Sequence, residues 1–167
     1  MEQTKSQTPV HDKITATGVC EVFIRTNRNW EKKRRIENLT VDLGVNLVRD
    51  RLFTASTNYV KYGAVSDNTD VPAAGDTSLT GNETARTLFQ NGAADVTTTK
   101  VAYVEFYLDS TEWAAGDPAA LTTVSKAGLY YTSDTASLYC AAKFDALNVD
   151  SATEMLVSWT VTYSDVA

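Results

Sequence analysis

Histidine occurs once in these 167 residues, as His11 in a polar N-terminal stretch. That leaves no material for a histidine-based catalytic triad or a multi-histidine metal site. Cysteine occurs twice, as Cys20 and Cys140, each inside a strand-like apolar run and with no CxxC spacing. Such thiols read as small buried hydrophobes, and a disulfide between them would need a Cα spacing that only the fold sets. There is no GxSxG and no glycine-rich phosphate loop. No apolar run approaches the roughly 20 residues of a membrane-spanning helix. The opening MEQTKSQTPVHDK has no apolar core of a secretory signal and no lipidation motif, so the expectation is synthesis in the cytoplasm. A basic surplus is also missing: 15 Lys and Arg stand against 21 Asp and Glu, for a net charge of -6. That disfavours a nucleic-acid surface. No repeat of fixed period and no low-complexity tract is present.

What is there is an ordinary globular composition, 43% hydrophobic and 22% charged, in a chain long enough for one domain with a real core. Residues 1–13 read as a flexible N-terminal arm and 14–167 as a single domain. GVCEVFIRT alternates, with Cys20, Val22 and Ile24 on one side and Glu21, Phe23 and Arg25 on the other. TNRN reads as a turn and WEKKRRIENL as the returning strand of a hairpin. Its basic run, Lys32 to Arg35, suits a solvated face or a protected edge, with an acidic partner surface as the sharper reading.

TVDLGVNLVRDRLFTAS carries Val41, Val45, Val48 and Leu52 at helical spacing, which predicts one early helix at about 40–54 with Thr40 as its cap. Gly44 inside it suggests close packing against another backbone. Strands follow at NYVKYGAVS, KVAYVEFYLDS, VSKAGLYYTSD, SLYCAAKFDAL and EMLVSWTVTYSDV. In the second, Val104, Phe106 and Leu108 share a face. In the fourth, Leu138, Cys140, Ala142 and Phe144 do. In the last, Met155, Val157, Trp159, Val161 and Tyr163 do. Six to eight strands with one helix predict a mainly β domain, an antiparallel β-sandwich of jelly-roll-like kind.

Between the first and second of these strands runs SDNTDVPAAGDTSLTGNETARTLF, residues 66–89. Asp67, Asn68, Asp70 and Asp76 could in principle ligate calcium, but the spacing does not fit an EF-hand, and these residues with Pro72 and Gly75 are the common turn formers. Glu83 and Arg86 lie three apart, where a helical turn would pair them. With Leu79 as an apolar plug, the trio Leu79, Glu83 and Arg86 reads as a clasp pinning the loop to the sheet. Asp109 with Glu112 is the one paired-carboxylate candidate, and it flanks a loop of small residues with no sign of a cleft between carboxyls. The expectation is therefore a protein without catalytic residues, cofactor or metal. Three Trp and eight Tyr could form a sugar-stacking platform, though most fall at alternating strand positions as core or contact residues. Trp113, in the EWAAGDP loop, is the best single candidate for an exposed contact.

The order of these elements resembles small virion structural proteins of tailed phages, in particular the N-terminal domain of phage tail-collar and tail-fibre proteins. The residues that carry the resemblance are Gly44; Ala64 and Val65; Pro72, Asp76, Thr77, Leu79, Glu83 and Arg86; and Gly128, Leu129 and Tyr130, over residues 18–163. Two departures stand out. Gly63 precedes Ala64-Val65 where the family runs AVG, and Lys126 stands near the family's usual acid position. The resemblance implies no catalytic residue and no cofactor. It implies a structural subunit of the virion, made in the host cytoplasm, whose partners are itself, as a homo-oligomer, and other virion proteins. With no fibre shaft after the domain, a collar, neck, baseplate, tail-fibre attachment or capsid turret or decoration piece fits best. The alternative is a carbohydrate-binding or receptor-adhesion module with a glycan partner. A bacterial surface or pilus-like subunit is disfavoured for want of an export signal.

Overall fold

A computed structural model describes residues 13–26, 28–40, 44, 59–90, 95–98, 101–109, 121–134, 136–150 and 152–166. They form nine strands: β1 Lys13–Thr26, β2 Asn29–Thr40, β3 Tyr62–Ser66, β4 Thr87–Leu88, β5 Asp95–Thr98, β6 Val101–Leu108, β7 Thr123–Tyr130, β8 Leu138–Asn148 and β9 Met155–Val166. Every pairing is antiparallel, in the order β4-β3-β7-β8-β2-β1-β9-β6-β5. The fold is therefore mainly β, with two antiparallel sheets. The first is β2-β1-β9-β6-β5 and the second is β4-β3-β7-β8. They are joined where the last two residues of β2 leave β1 and pair with β8, Leu39 with Ala141 and Thr40 with Cys140.

Alternation explains how the sheets meet. Cys20 and Val22 of β1, Val104, Phe106 and Leu108 of β6, and Met155, Val157, Trp159 and Val161 of β9 are all buried. They share one cluster with Val65 of β3, Val124, Ala127 and Leu129 of β7, and Cys140, Ala142 and Phe144 of β8. Burial of this apolar set, at about 25 cal/mol per Å², is the main stabilising term. Gly63 lets β3 approach β6, since a Cβ there would lie 2.1 Å from the Phe106 ring. At the far corner the Gln90 amide donates to the Glu105 carbonyl at 3.1 Å.

Both thiols are free and buried in this cluster. Burial pushes both well above the ordinary thiol range, so they stay protonated and unreactive.

Two sequence expectations change. Lys13, placed in the arm, belongs to β1, which its backbone pairing with Val166 of β9 extends. Leu138, grouped with Cys140, Ala142 and Phe144, faces the opposite side, with Tyr130, Ala64 and Leu79. The register gives the reason: Leu129 opposes Cys140 while Tyr130 opposes Leu138, so Tyr139 is an extra residue in β8 and the face flips. Thr40, the expected helix cap, is the last residue of β2, and Gly44, four residues on, is helical. The helix expected at about 40–54 otherwise falls outside the described residues except for Gly44, where a Cβ would lie 2.2 Å from the Tyr139 carbonyl oxygen. The arm up to residue 12, Trp113 and Glu112 also lie outside them.

Candidate functional site

Two outer faces flank the core, and they are built differently. The outer face of the second sheet lies under residues 67–86. Ser66 bridges Glu83 in antiparallel fashion, and Thr84 donates its amide to the Val65 carbonyl at 2.9 Å. The returning segment thus covers the edge of β3 before β4 pairs with it. Thr80 and Gly81 both take positive φ, 58° and 69°, to reverse the chain. Leu79, 1% exposed, drops onto β7 where Gly128 leaves room: a Cβ there would lie 2.8 Å from both Leu79 and Leu138.

A polar network surrounds this plug. The Leu79 amide donates to the Tyr130 hydroxyl at 2.9 Å and to Glu83 Oε2 at 3.2 Å. Tyr130 donates its own proton to Glu83 Oε2 at 2.8 Å. Arg86 Nε donates to Glu83 Oε1 at 3.0 Å, its Nη1 reaches the Thr132 carbonyl and Ser137 Oγ, and its guanidinium lies 3.7 Å over the Tyr130 ring. Burial, then the Glu83 charge, pushes the Tyr130 phenol far above its ordinary range. Leu79, Glu83 and Arg86 are thus brought together. The pair forms without the expected helical turn, because Glu83 sits on the extended segment beside β3 and Tyr130 orients its carboxylate.

The acids of the loop are used in turns. Asp67 accepts the Asn82 amide at 2.9 Å and its side chain at 2.7 Å, and Asp76 accepts the Ala73 amide at 2.9 Å. Among the described residues no group of three His, Cys, Asp or Glu is arranged to hold a metal. Two members of the network were not singled out from sequence: Ser66 donates to the Thr80 carbonyl at 2.6 Å, and Ser125 donates to the carbonyls of Asp67 and Asn68. Lys126, noted there only as a departure from the family pattern, is buried beneath the loop. Lys126 in the middle of an apolar strand was the available signal: a cation there must find partners.

Part of the set that carries the resemblance meets at this spot, while Val65 and Leu129 belong to the inner cluster. Ala64, Leu79 and Tyr130 share one cluster, Gly128 underlies Leu79, and the Thr77 carbonyl accepts the amides of Ser137 and Leu138.

The outer face of the first sheet carries aromatics and paired charges. An extra residue in β2, Lys33, shifts the register after Val22–Arg34, so that Lys32 opposes Phe23 and Trp30 opposes Arg25. Trp30 is 41% exposed and meets Tyr107 of β6 edge-on at 6.0 Å. Arg25 lies 5.9 Å over the Trp30 ring and pairs with Glu154 at 2.6 Å. Lys32 lies 5.5 Å over Phe23, and both Lys32 and Arg35 reach Glu21, at 2.5 and 3.5 Å. Lys33 pairs with Glu31 at 2.6 Å, and Arg34 spans to the Asp145 carbonyl of β8 at 3.1 Å. Lys32, Lys33 and Arg35 therefore meet carboxylates within their own sheet, while Arg34 reaches carbonyls of the second. Tyr103 donates to Glu105; burial and this bond push its phenol up to about 12. Tyr107, desolvated and bonded to Glu154, is likewise pushed up to about 12. An open cleft of about 260 Å³ beside Trp30's neighbour Arg25 is lined by Arg25, Arg28, Ala152 and Glu154.

Comparison with protein-family models, with curated proteins and with solved structures found no match.

Proposed function

We propose that this chain is a non-enzymatic structural subunit that assembles into a symmetric homo-oligomer through the outer face of its first sheet, as a component of a virion. The two sheets are taken as the layers of a jelly-roll-like sandwich that serves as a rigid tile. The observation that carries the assembly reading is the exposed Trp30, flanked by Phe23 and Tyr107, on a face whose charges are already paired. Such a surface costs little to desolvate and presents a large apolar anchor, the pattern of an interface centre. Closed rotational symmetry is the usual way to repeat one contact. The virion setting is supported by the sequence resemblance alone.

Native mass spectrometry across a concentration series tests the assembly. A complex of fixed size that Trp30→Glu reduces to monomers is the expected result. A monomer at every concentration sinks it. A protein inventory of purified particles tests the virion setting separately.

A second reading has its own support. An exposed indole beside a cleft lined by two arginines and a carboxylate also suits a sugar ring. On that reading the chain is a monomer whose tryptophan fluorescence shifts with oligosaccharide, and Trp30→Ala removes the shift.

A further inference from the structure

Lys126 is the only fully buried charged residue among the described ones, at 2% exposure. Its Nζ lies 2.9 Å from Asn68 Oδ1 and 3.4 Å from the Leu79 carbonyl oxygen. Both partners are neutral. An ammonium held by two neutral oxygens away from water is costly, so the site raises the share of free amine over that of an exposed lysine. Burial accordingly lowers the Lys126 pKa, with the charges of Asp76 and Asp70 opposing the effect. A neutral lysine amine in such a pocket is a nucleophile.

Its neighbour is a positioned carboxamide. Asn68 Oδ1 also accepts the Asp70 amide at 2.7 Å, and Asn68 Nδ2 donates to Thr80 Oγ1 at 2.7 Å. The backbone on either side is pinned as well: the Asn68 amide donates to Ser66 Oγ and its carbonyl accepts from Ser125. The amide therefore cannot swing away from the amine, which is the orientation that turns a slow bimolecular reaction into a fast internal one.

We propose that Lys126 and Asn68 join in an intramolecular isopeptide bond that ties the loop covalently to β7. The free amine of Lys126 attacks the Asn68 side-chain carbonyl carbon, forming the new C–N bond. The oxygen's developing negative charge is met by the Asp70 amide, already bonded to it. The proton carried in on Nζ passes to Asn68 Nδ2, the nitrogen that leaves, with the Asp76 and Asp70 charges nearby. The old C–N bond then breaks and one ammonia leaves. Amine plus carboxamide gives secondary amide plus ammonia, with no oxidant, reductant or further reactant. The bond lies within one chain, so it is independent of the assembly proposed above.

Intact mass spectrometry of the full-length protein tests this directly. The expected mass is lower than that of the sequence by one ammonia. A tryptic digest should show the peptide bearing Asn68 joined to the one bearing Lys126, with no cleavage after Lys126. Lys126→Arg removes the primary amine while keeping a long nitrogen-tipped side chain, and should restore the full sequence mass. A wild-type mass equal to that of the sequence overturns the proposal. So does an ammonia loss that persists in Lys126→Arg, since it must then arise elsewhere. If the variant does not fold, the wild-type digest still decides.

Discussion

The two outer faces start from similar strands and end differently. On the second sheet, Ala64, Tyr130, Leu138 and Ala141 are sealed by a loop whose polar groups find partners at the sheet. On the first, Phe23, Trp30 and Tyr107 are met by cations and by one another, and Trp30 keeps 41% of its surface open. The difference teaches where each face gets its stability. The covered face depends on side chains far apart in sequence, so a single loss there strands several groups. The open face depends on neighbouring strands, so a loss there is local and leaves the fold intact.

The sharpest way to break this contrast is at the plug. Leu79→Ala leaves a cavity over Gly128, and unfolding in urea should show a loss of about 3–5 kcal/mol. Glu83→Ala comes next: it removes the acceptor for the Leu79 amide, Tyr130 and Arg86 together, and should cost about 3 kcal/mol. Either variant keeping wild-type stability would mean that the loop is not a structural layer. Trp30→Ala should cost about 1 kcal/mol or less in the same assay while abolishing assembly, because an exposed aromatic pair contributes little to folding.

The smallest effect is a pH response of the Arg25–Glu154 pair. Arg25 and Tyr107 hold the Glu154 carboxyl below its ordinary value of 4.5. A depressed carboxylate stabilises the fold above that ordinary value, and the contribution disappears as pH falls through the lower folded value. Thermal melts of wild type and Glu154→Gln should therefore differ slightly at neutral pH and converge in acid. A difference that grows in acid would reverse the assignment.

Much of the strand pattern was legible. Val104, Phe106 and Leu108, or Met155, Val157 and Trp159, alternate because a strand with one buried face must alternate. The hairpin of β1 and β2 was legible from its turn. Leu79, Glu83 and Arg86 were legible as a trio because an apolar residue among turn formers and an acid three residues before an arginine are local signals. Tyr139 as an extra residue in β8 was not, because one added residue leaves composition unchanged while flipping Leu138. Nor could local pattern separate Trp30 from Trp159. Both sit on alternating strands, and only the packing of one sheet on the other decides which is core.

By itself the chain determined its class: alternation and β-branched and aromatic content specify an antiparallel β body. Those are properties of short stretches, where side-chain period and residue chemistry act within a few positions. Tertiary structure alone decided that Lys126 lies against Asn68, that Tyr130 serves Leu79 and Glu83 at once, and that one face is sealed while the other stays open. These contacts join residues about fifty positions apart, and their energy exists only once the sheets have packed and water has left the space between them.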